Sequence, residues 1–276
     1  MGLATHIAAL MRDVAERAIM PRYRALAAHE IAEKSPGEIV TRADREAEAL
    51  LRDGLARIDV GARIVGEEAA AEDSRLLDDI GDGLVWLVDP LDGTSNFANG
   101  TGPFGVMVAL VDAGEPLAAW MLDPVSGRLC HAERGGGAWI DGERMRARET
   151  GKLRPVASLA TQFMDAPQRA RIHRAAERRF TLEPIPRCAA AHYPRLVTGA
   201  NDVALFQRIL PWDHAAGALF LAEAGGHVAH WDGSPYRVGS DGIGILAAAS
   251  GRMWTAAATA IGDTLASPTR EAALAA

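Results

Sequence analysis

Twelve residues, Trp86-Leu87-Val88-Asp89-Pro90-Leu91-Asp92-Gly93-Thr94-Ser95-Asn96-Phe97, restrict the fold more than any other stretch of this chain. The apolar run Leu84 to Val88 reads as a buried strand. It ends in two aspartates separated by Pro90 and Leu91. Pro90 fixes its own φ and has no N–H, which stiffens the step so that both carboxylates face one side. Gly93 permits a turn or a close backbone approach. Thr94, Ser95 and Asn96 are residue types that cap helices. A helix starting here directs free N–H groups and a positive dipole at whatever lies above the strand end. Two acids beside such an N-terminus make a seat for a divalent metal and a phosphate. On turn chemistry alone, the same residues form an acidic capped turn.

Length and charge narrow the class. A chain of 276 residues makes one large domain or two smaller ones, and it buries roughly three quarters of its unfolded surface. With 49% hydrophobic and 24% charged residues it reads as an ordinary globular protein. A formal net charge of −7 gives no general attraction to nucleic acid or anionic lipid. No run of 18 uncharged apolar residues occurs, so no membrane-spanning helix is expected. Arg12, Asp13, Glu16 and Arg17 fall at helical spacing near the N-terminus, which reads as an amphipathic helix rather than a secretory signal. Cys130 and Cys188 are too few for a disulfide framework and lack metal-ligand spacing. Both are read as buried free thiols in a reducing, cytoplasmic setting.

Taken in order, Ile7 to His29 carries a helical stripe that Pro21 should kink or break. Lys34-Ser35-Pro36-Gly37 reads as a turn. A helix is expected over Ala43 to Ile58, with Thr41 and Asp44 in the pattern of a capping box. Arg63 to Val65 reads as a short strand, and Ala70 to Ile80 as an acidic connector. Residues 104 to 147 read as an antiparallel meander, with turns at Ala113-Gly114, Asp123 to Gly127 and Asp141-Gly142. Beyond it, helices are expected over Ala166 to Glu177, Ala189 to Ala200, His214 to Ala224 and Met253 to Ile261. Strands are expected at Pro155 to Leu159, Val203 to Phe206, Val228 to Trp231 and Gly244 to Ala249. The tail from Ser267 is poorly patterned. The texture divides the chain into an N-terminal α+β lobe, 1–150, and a C-terminal α/β lobe, 151–276, that supplies Asp213.

Acids stand at four element ends: Asp44, Glu67-Glu68, Asp89 with Asp92, and Asp213. Taken singly, Asp213 reads as a helix-start acid worth about 1 kcal/mol. Glu67 alone reads as a solvated loop acid, and Asp44 as a first-turn acid. Converging, they form a hard-oxygen cage that suits Mg²⁺ and, with no His/Cys cluster, suits Zn²⁺ poorly.

Three motifs decide among these readings. Val65-Gly66-Glu67-Glu68, then Trp86 to Phe97, then Pro211-Trp212-Asp213-His214-Ala215-Ala216-Gly217 resemble, in order and spacing, the signatures of the inositol monophosphatase family. Lys34-Ser35-Pro36, Val40 to Asp44 and Glu223-Ala224-Gly225-Gly226 also fit, and the resemblance covers roughly residues 5 to 262. It implies an α+β fold, a layered α-β-α-β-α sandwich, in a homodimer that hydrolyses phosphomonoesters with two to three Mg²⁺. Carried over, Glu67, Asp89 and the Leu91 carbonyl bind one metal. Asp89, Asp92 and Asp213 bind a second, and Glu67 touches a third. Thr94 with Asp44 orients and deprotonates the attacking water. The N–H groups of Gly93, Thr94 and Ser95 hold the phosphate.

The pattern breaks where substrate is chosen. Inositol-preferring members carry Gly-Ser/Thr-Ala-Ala, and this chain reads Arg187-Cys188-Ala189-Ala190. They also carry a Glu shortly before the Trp-Asp pair, and here Phe206-Gln207-Arg208 holds no acid. Ala189 is kept as a backbone contact, and Arg187, His192 and Arg208 are candidates to meet a second anionic group or an imidazole. The reading is a Mg²⁺-dependent phosphomonoesterase of a small phosphorylated metabolite, with inositol-1-phosphate as default. Histidinol phosphate and a sugar bisphosphate are the enzyme alternatives. The alternative of another class is an RNA-associated regulatory protein with a vestigial site.

Overall fold

A computed structural model describes residues 2–265 apart from Pro36 and Asp59. The expected tail from Ser267 and the proline of the expected turn lie outside the described residues. Helix α1 (Leu3–Val14) passes into a π turn and a short 3₁₀ turn, Met20–Arg22, and there the helical path ends. The helix expected to reach His29 therefore stops near Pro21. Past it lies a hairpin that the sequence reading did not anticipate, β1 (Ile31–Ser35) antiparallel to β2 (Glu38–Thr41). Its strands are short and mostly half-exposed, so they carry no period-two signal.

Helix α2 (Arg42–Ala56) begins at the expected capping box. The Thr41 hydroxyl accepts from the Ala43 N–H at 3.1 Å, and the Asp44 carboxylate accepts from the Thr41 N–H at 2.8 Å. Strand β3 (Arg63–Gly66) then leads into α3 (Glu67–Glu72), so part of the expected connector is helical. Strand β4 (Leu84–Asp92) is followed by the single-turn helix α4 (Thr94–Ala98). The meander comprises β5 (Gly105–Asp112), β6 (Glu115–Leu122), β7 (Leu129–Glu133), β8 (Gly137–Ile140) and β9 (Glu143–Met145). It extends β3 and β4 into a seven-stranded sheet whose strands lie in sequence order. Only the β3–β4 pair in it is parallel.

A second sheet has the order β11-β10-β12-β14-β13, from β10 (Val156–Ala160), β11 (Thr181–Leu182), β12 (Val203–Phe206), β13 (His227–His230) and β14 (Ile245–Ala248). Four helices accompany it: α5 (Ala166–Glu177), α6 (Ala189–Val197), α7 (Pro211–Glu223) and α8 (Gly251–Leu265).

The packing makes five layers. Side chains alternate across β4, so Trp86 and Val88 meet Ile7, Met11, Ala47 and Leu51 of α1 and α2. Val85 and Leu87 face the opposite way, into a core shared with α6, α7 and the second sheet through Ala204, Phe206, Ile245 and Ala247. The far face of the second sheet buries Leu205 and Leu246 against Ile172, Met253 and Ala257 of α5 and α8. This is the expected α-β-α-β-α sandwich. Both faces of β4 and β5 are covered, which is why their sequences are continuous apolar runs rather than alternating ones.

Helix α7 lies in the middle layer and is apolar around nearly its whole circumference. Gly217 lets the buried Tyr193 ring of α6 sit on its backbone, since a Cβ there falls 1.9 Å from Tyr193 Cδ2. Gly217→Ala should therefore lose about 2 kcal/mol to overpacking even though alanine is the better helix former. Thermal unfolding should show a midpoint several degrees lower. An unchanged midpoint would mean the two helices are free to move apart.

Candidate active site

Glu67, Asp89, Asp92 and Asp213 line one cavity of about 520 Å³, and Asp44 lies behind its wall on the Thr94 hydroxyl. Strand β4 shapes its floor. Its register against β5 pairs Asp89 with Met107 and Asp92 with Gly105, so one extra residue bulges out between the aspartates. In a regular strand, residues three apart point to opposite faces. The bulge, placed at a proline that has no N–H to lose, turns Asp89 and Asp92 into the same cavity. Asp89 folds the bulge onto itself, its Oδ1 accepting from the Leu91 N–H at 3.0 Å. Gly93 follows at φ 85°, packed so that a Cβ would meet Pro103 O at 3.0 Å and Cys188 Cβ at 3.2 Å. Only glycine takes that backbone at that spacing without strain.

One oxygen each of Glu67, Asp89 and Asp213 lies within 4.8 Å of the others. They come from the start of α3, the end of β4 and the first turn of α7, so three layers meet here. Asp92 shares the cavity and is also capped, its Oδ2 accepting from the Ala190 N–H of α6 at 2.7 Å. Burial, then the charges of Glu67, Asp92 and Asp213, pushes Asp89 well above the usual carboxylate range. Burial, then Glu67 and Asp92, does the same to Asp213. Burial raises Asp92 to about 6 against the hydrogen bonds that favour its charge. The donor set is all oxygen and is crowded with negative charge, which fits a hard divalent cation.

Asp44 is buried, with its Oδ2 on Thr41 and its Oδ1 accepting from the Thr94 hydroxyl at 3.0 Å. Burial raises it to about 6. Thr94 Oγ1 also lies 3.0 Å from the Leu91 carbonyl, so its one proton chooses between two acceptors. Gly93, Thr94 and Ser95 all line the cavity at the start of α4.

The candidate substrate contacts Arg187, Ala189, His192 and Arg208 line the same cavity. His192 is buried edge-on against Phe206 at 5.0 Å, and burial lowers it to about 3, so it is neutral. Arg208 is paired with Glu38 of β2 and lies 4.2 Å over the Phe163 ring. Gln207 occupies the wall where an acid is absent, its Oε1 buried without a protein partner.

Lys34 and Glu68 were named in the sequence only as parts of motifs, and Glu48, Glu38 and Phe163 were not singled out at all. Lys34 pairs with Glu67 and, at 2.9 Å, with Glu68. Burial works against its charge, but the two carboxylates outweigh that and raise its pKa. Burial, with Glu67 beside it, lifts Glu68 to about 7. Glu48 caps α3 through the Glu68 and Ala69 N–H groups at 2.7 and 2.8 Å. Its place four residues after Asp44, on the same helix face, was the available signal. The Phe163 loop and Glu38 had none, because only the tertiary fold brings them to the cavity.

Comparison with known proteins agrees with this geometry. Residues 3–265 match the sequence profile described as the inositol monophosphatase family. The fructose-1,6-bisphosphatase/inositol-1-monophosphatase of Thermotoga maritima is 32% identical over 203 residues, 73% of this chain and 75% of that protein. The inositol-1-monophosphatase of Bacillus subtilis is 29% identical over 212 residues, 73% of this chain and 76% of that protein. Among solved structures, a Thermotoga maritima IMPase superposes with a TM-score of 0.80 at 26% identity, covering 96% of this chain and 98% of that one. The chain belongs to the inositol monophosphatase family of phosphoric monoester hydrolases.

Proposed function

We propose that this protein is a Mg²⁺-dependent phosphomonoesterase that hydrolyses a small phosphorylated metabolite by direct attack of water. The observation that carries the reading is the convergence of Glu67, Asp89 and Asp213 beside the Thr94–Asp44 pair. Glu67, Asp89, Asp92, Asp213 and the Leu91 carbonyl would hold the two to three ions. Bound Mg²⁺ supplies Lewis-acid charge to the phosphoryl oxygens and makes a water acidic enough to attack near neutral pH. The N–H groups at Gly93 to Ser95 position the phosphate. The Thr94 hydroxyl, donating to the Asp44 carboxylate, turns its lone pairs toward the water and passes the proton to Asp44. The water oxygen bonds to phosphorus, the ester P–O bond breaks and the leaving oxygen takes a proton from solvent water.

A homodimer in a cytoplasmic setting is part of the same reading, the latter supported by the two buried free thiols. The substrate is left open among inositol-1-phosphate, histidinol phosphate and a sugar bisphosphate. The absence of an acid at Gln207 argues against a pocket built only around polyol hydroxyls. The RNA-associated alternative finds less support, since every candidate metal acid is retained and the net charge is −7.

The direct test is phosphate release with Mg²⁺, with and without EDTA. The substrates are inositol-1-phosphate, histidinol phosphate, fructose-1,6-bisphosphate, 2′-AMP and adenosine 3′,5′-bisphosphate. EDTA-sensitive turnover concentrated on one substrate supports the reading, and release that ignores EDTA overturns the metal assignment. Thr94→Ala should lower kcat by about 10²-fold with KM little changed. A rise in KM alone would make Thr94 a binding residue.

Asp92→Asn should lower Mg²⁺-dependent turnover by about 10²-fold or more while stabilising the metal-free fold. Asp92 titrates at about 6 when folded, against about 3.9 when unfolded, so ionising it near pH 7.5 costs the folded state stability. Metal-free Asp92→Asn should then unfold later than wild type at pH 7.5, by about 1 kcal/mol or more. The gap should close toward pH 5, where the native carboxyl is mostly protonated. The buried neutral histidines His192 and His214 have the opposite pH slope, but they are common to both proteins and cancel. An equal gap at both pH values would mean that charge at Asp92 is not what destabilises the site.

A further inference from the structure

Three basic side chains line the cavity, Lys34, Arg187 and Arg208, and two of them are already neutralised. Lys34 rests on Glu67 and Glu68. Arg208 joins Glu38 to the Phe163 ring, which ties the β1–β2 hairpin to the loops of the second sheet. Arg187 is exposed, and among the described residues its guanidinium has no ion pair or hydrogen bond.

Its backbone is held in a conformation that an arginine disfavours. The φ of Arg187 is 53°, in the left-handed region. The other described non-glycine residues with positive φ have local reasons. Ala113 and Asp141 each precede a glycine in a hairpin turn. Arg24 anchors its side chain on the Gly100 carbonyl at 3.1 Å, and the Asp79 carbonyl accepts from Arg63. The Arg187 carbonyl accepts only a long bond, from Asn96 Nδ2 at 3.5 Å, and its side chain has no anchor, although glycine would take its backbone freely. The position is fixed from both sides. Asn96 Nδ2 donates to the Pro186 carbonyl at 3.0 Å, and three residues past Arg187 the Ala190 N–H holds Asp92 at 2.7 Å. A strained residue kept inside a site argues for a use of its side chain.

The charge balance says what that use is. Glu67, Asp89, Asp92 and Asp213 line the cavity of a protein of net charge −7. A ligand carrying a second anion beyond the transferred phosphate is repelled here unless an unpaired cation meets it. A guanidinium offers a planar fork that matches carboxylate or phosphate oxygens in pairs. We propose that Arg187 is a specificity-determining residue that binds a second anionic group, phosphate or carboxylate, on the leaving part of the substrate. The proposal rests on the phosphatase reading and deepens it.

Two substrate pairs, each differing by one anion, test it with Mg²⁺ present. Fructose 1-phosphate against fructose 1,6-bisphosphate reads a second phosphate, and glycerol 2-phosphate against 2-phosphoglycerate reads a carboxylate. The wild-type protein should show a KM at least tenfold lower for the doubly anionic member of one pair, and that pair names the anion. Arg187→Gly should erase the preference by raising that KM about tenfold more than its singly anionic partner's, and should unfold at no lower temperature because the strain is gone. Equal KM values within both pairs in the wild type would overturn the proposal. So would an Arg187→Gly loss shared by both members, which would place the guanidinium on the transferred phosphate instead. Turnover with no anion preference leaves the phosphatase reading standing. No phosphate release from any of the four overturns the proposal, and the phosphatase reading falls with it only if inositol-1-phosphate and histidinol phosphate are also left intact.

Discussion

Carboxylates that repel one another are packed at the meeting point of the layers, and the fold is arranged to offset that repulsion. Asp44, Glu67, Asp89, Asp92 and Asp213, buried or half-buried, are drawn to one end of the sandwich, and among the described residues Lys34 is the cation seated among the cluster's oxygens. Much of the compensation comes from backbone. Thr41 and Leu91 N–H groups hold Asp44 and Asp89, and the Ala190 N–H holds Asp92. Those donors lie at the start of α2, within the β4 bulge and in the first turn of α6. The sandwich and the site therefore require one another, since moving any of these layers strips a carboxylate of its donor. The carboxylates that remain raised in pKa are the ones a bound cation would relieve, so the strain of the metal-free fold would become affinity for such a cation.

The middle layer carries this coupling to the substrate side. His214 Nε2 lies 3.0 Å from the Arg208 carbonyl, which can only accept, so that nitrogen carries the proton. Nδ1 is then the acceptor, and the Tyr193 hydroxyl donates to it at 3.0 Å. This chain links α6 to the loop before α7 through a ring that burial keeps neutral, its pKa lowered to about 4. Arg208 leaves the same loop to meet Glu38, so the hairpin above the cavity is tied to the layer that supplies Asp213. Substrate-side residues rest on loops, while the acids rest on strand ends and helix starts. That division lets the pocket vary while the chemistry is held.

What could be read early follows from how local the information is. The β4 motif is contiguous, and its bulge, glycine and short helix are all consequences of neighbours along the chain. The Thr41–Asp44 cap is local in the same way. The meander from Gly105 to Met145 was legible because each strand is joined to the next by a turn with glycine chemistry. The stretch from Arg22 to Thr41 was not. Helix-forming residues such as Leu26, Ala27 and Ala28 continue past Pro21, and the hairpin after them shows little buried alternation. The partners that give those strands their place, Glu67 and Arg208, are far away in sequence.

The sequence by itself determined the chemistry: an acid-rich strand end, a capped helix start and a third acid opening a later helix, each written in a short run of residues whose local geometry is their own. Only the tertiary structure decided the pocket. Lys34, Glu38, Phe163, Arg187, Gln207 and Arg208 come from the β1–β2 hairpin and three separate loops, and which of their charges are neutralised depends on distances that no spacing along the chain encodes. Arg187 shows the difference most plainly. In the sequence it stands beside His192 and Arg208 as a candidate to meet a second anion, and in the fold it alone of the three is the cavity's unpaired cation among the described residues, held at a backbone angle that glycine would take without cost.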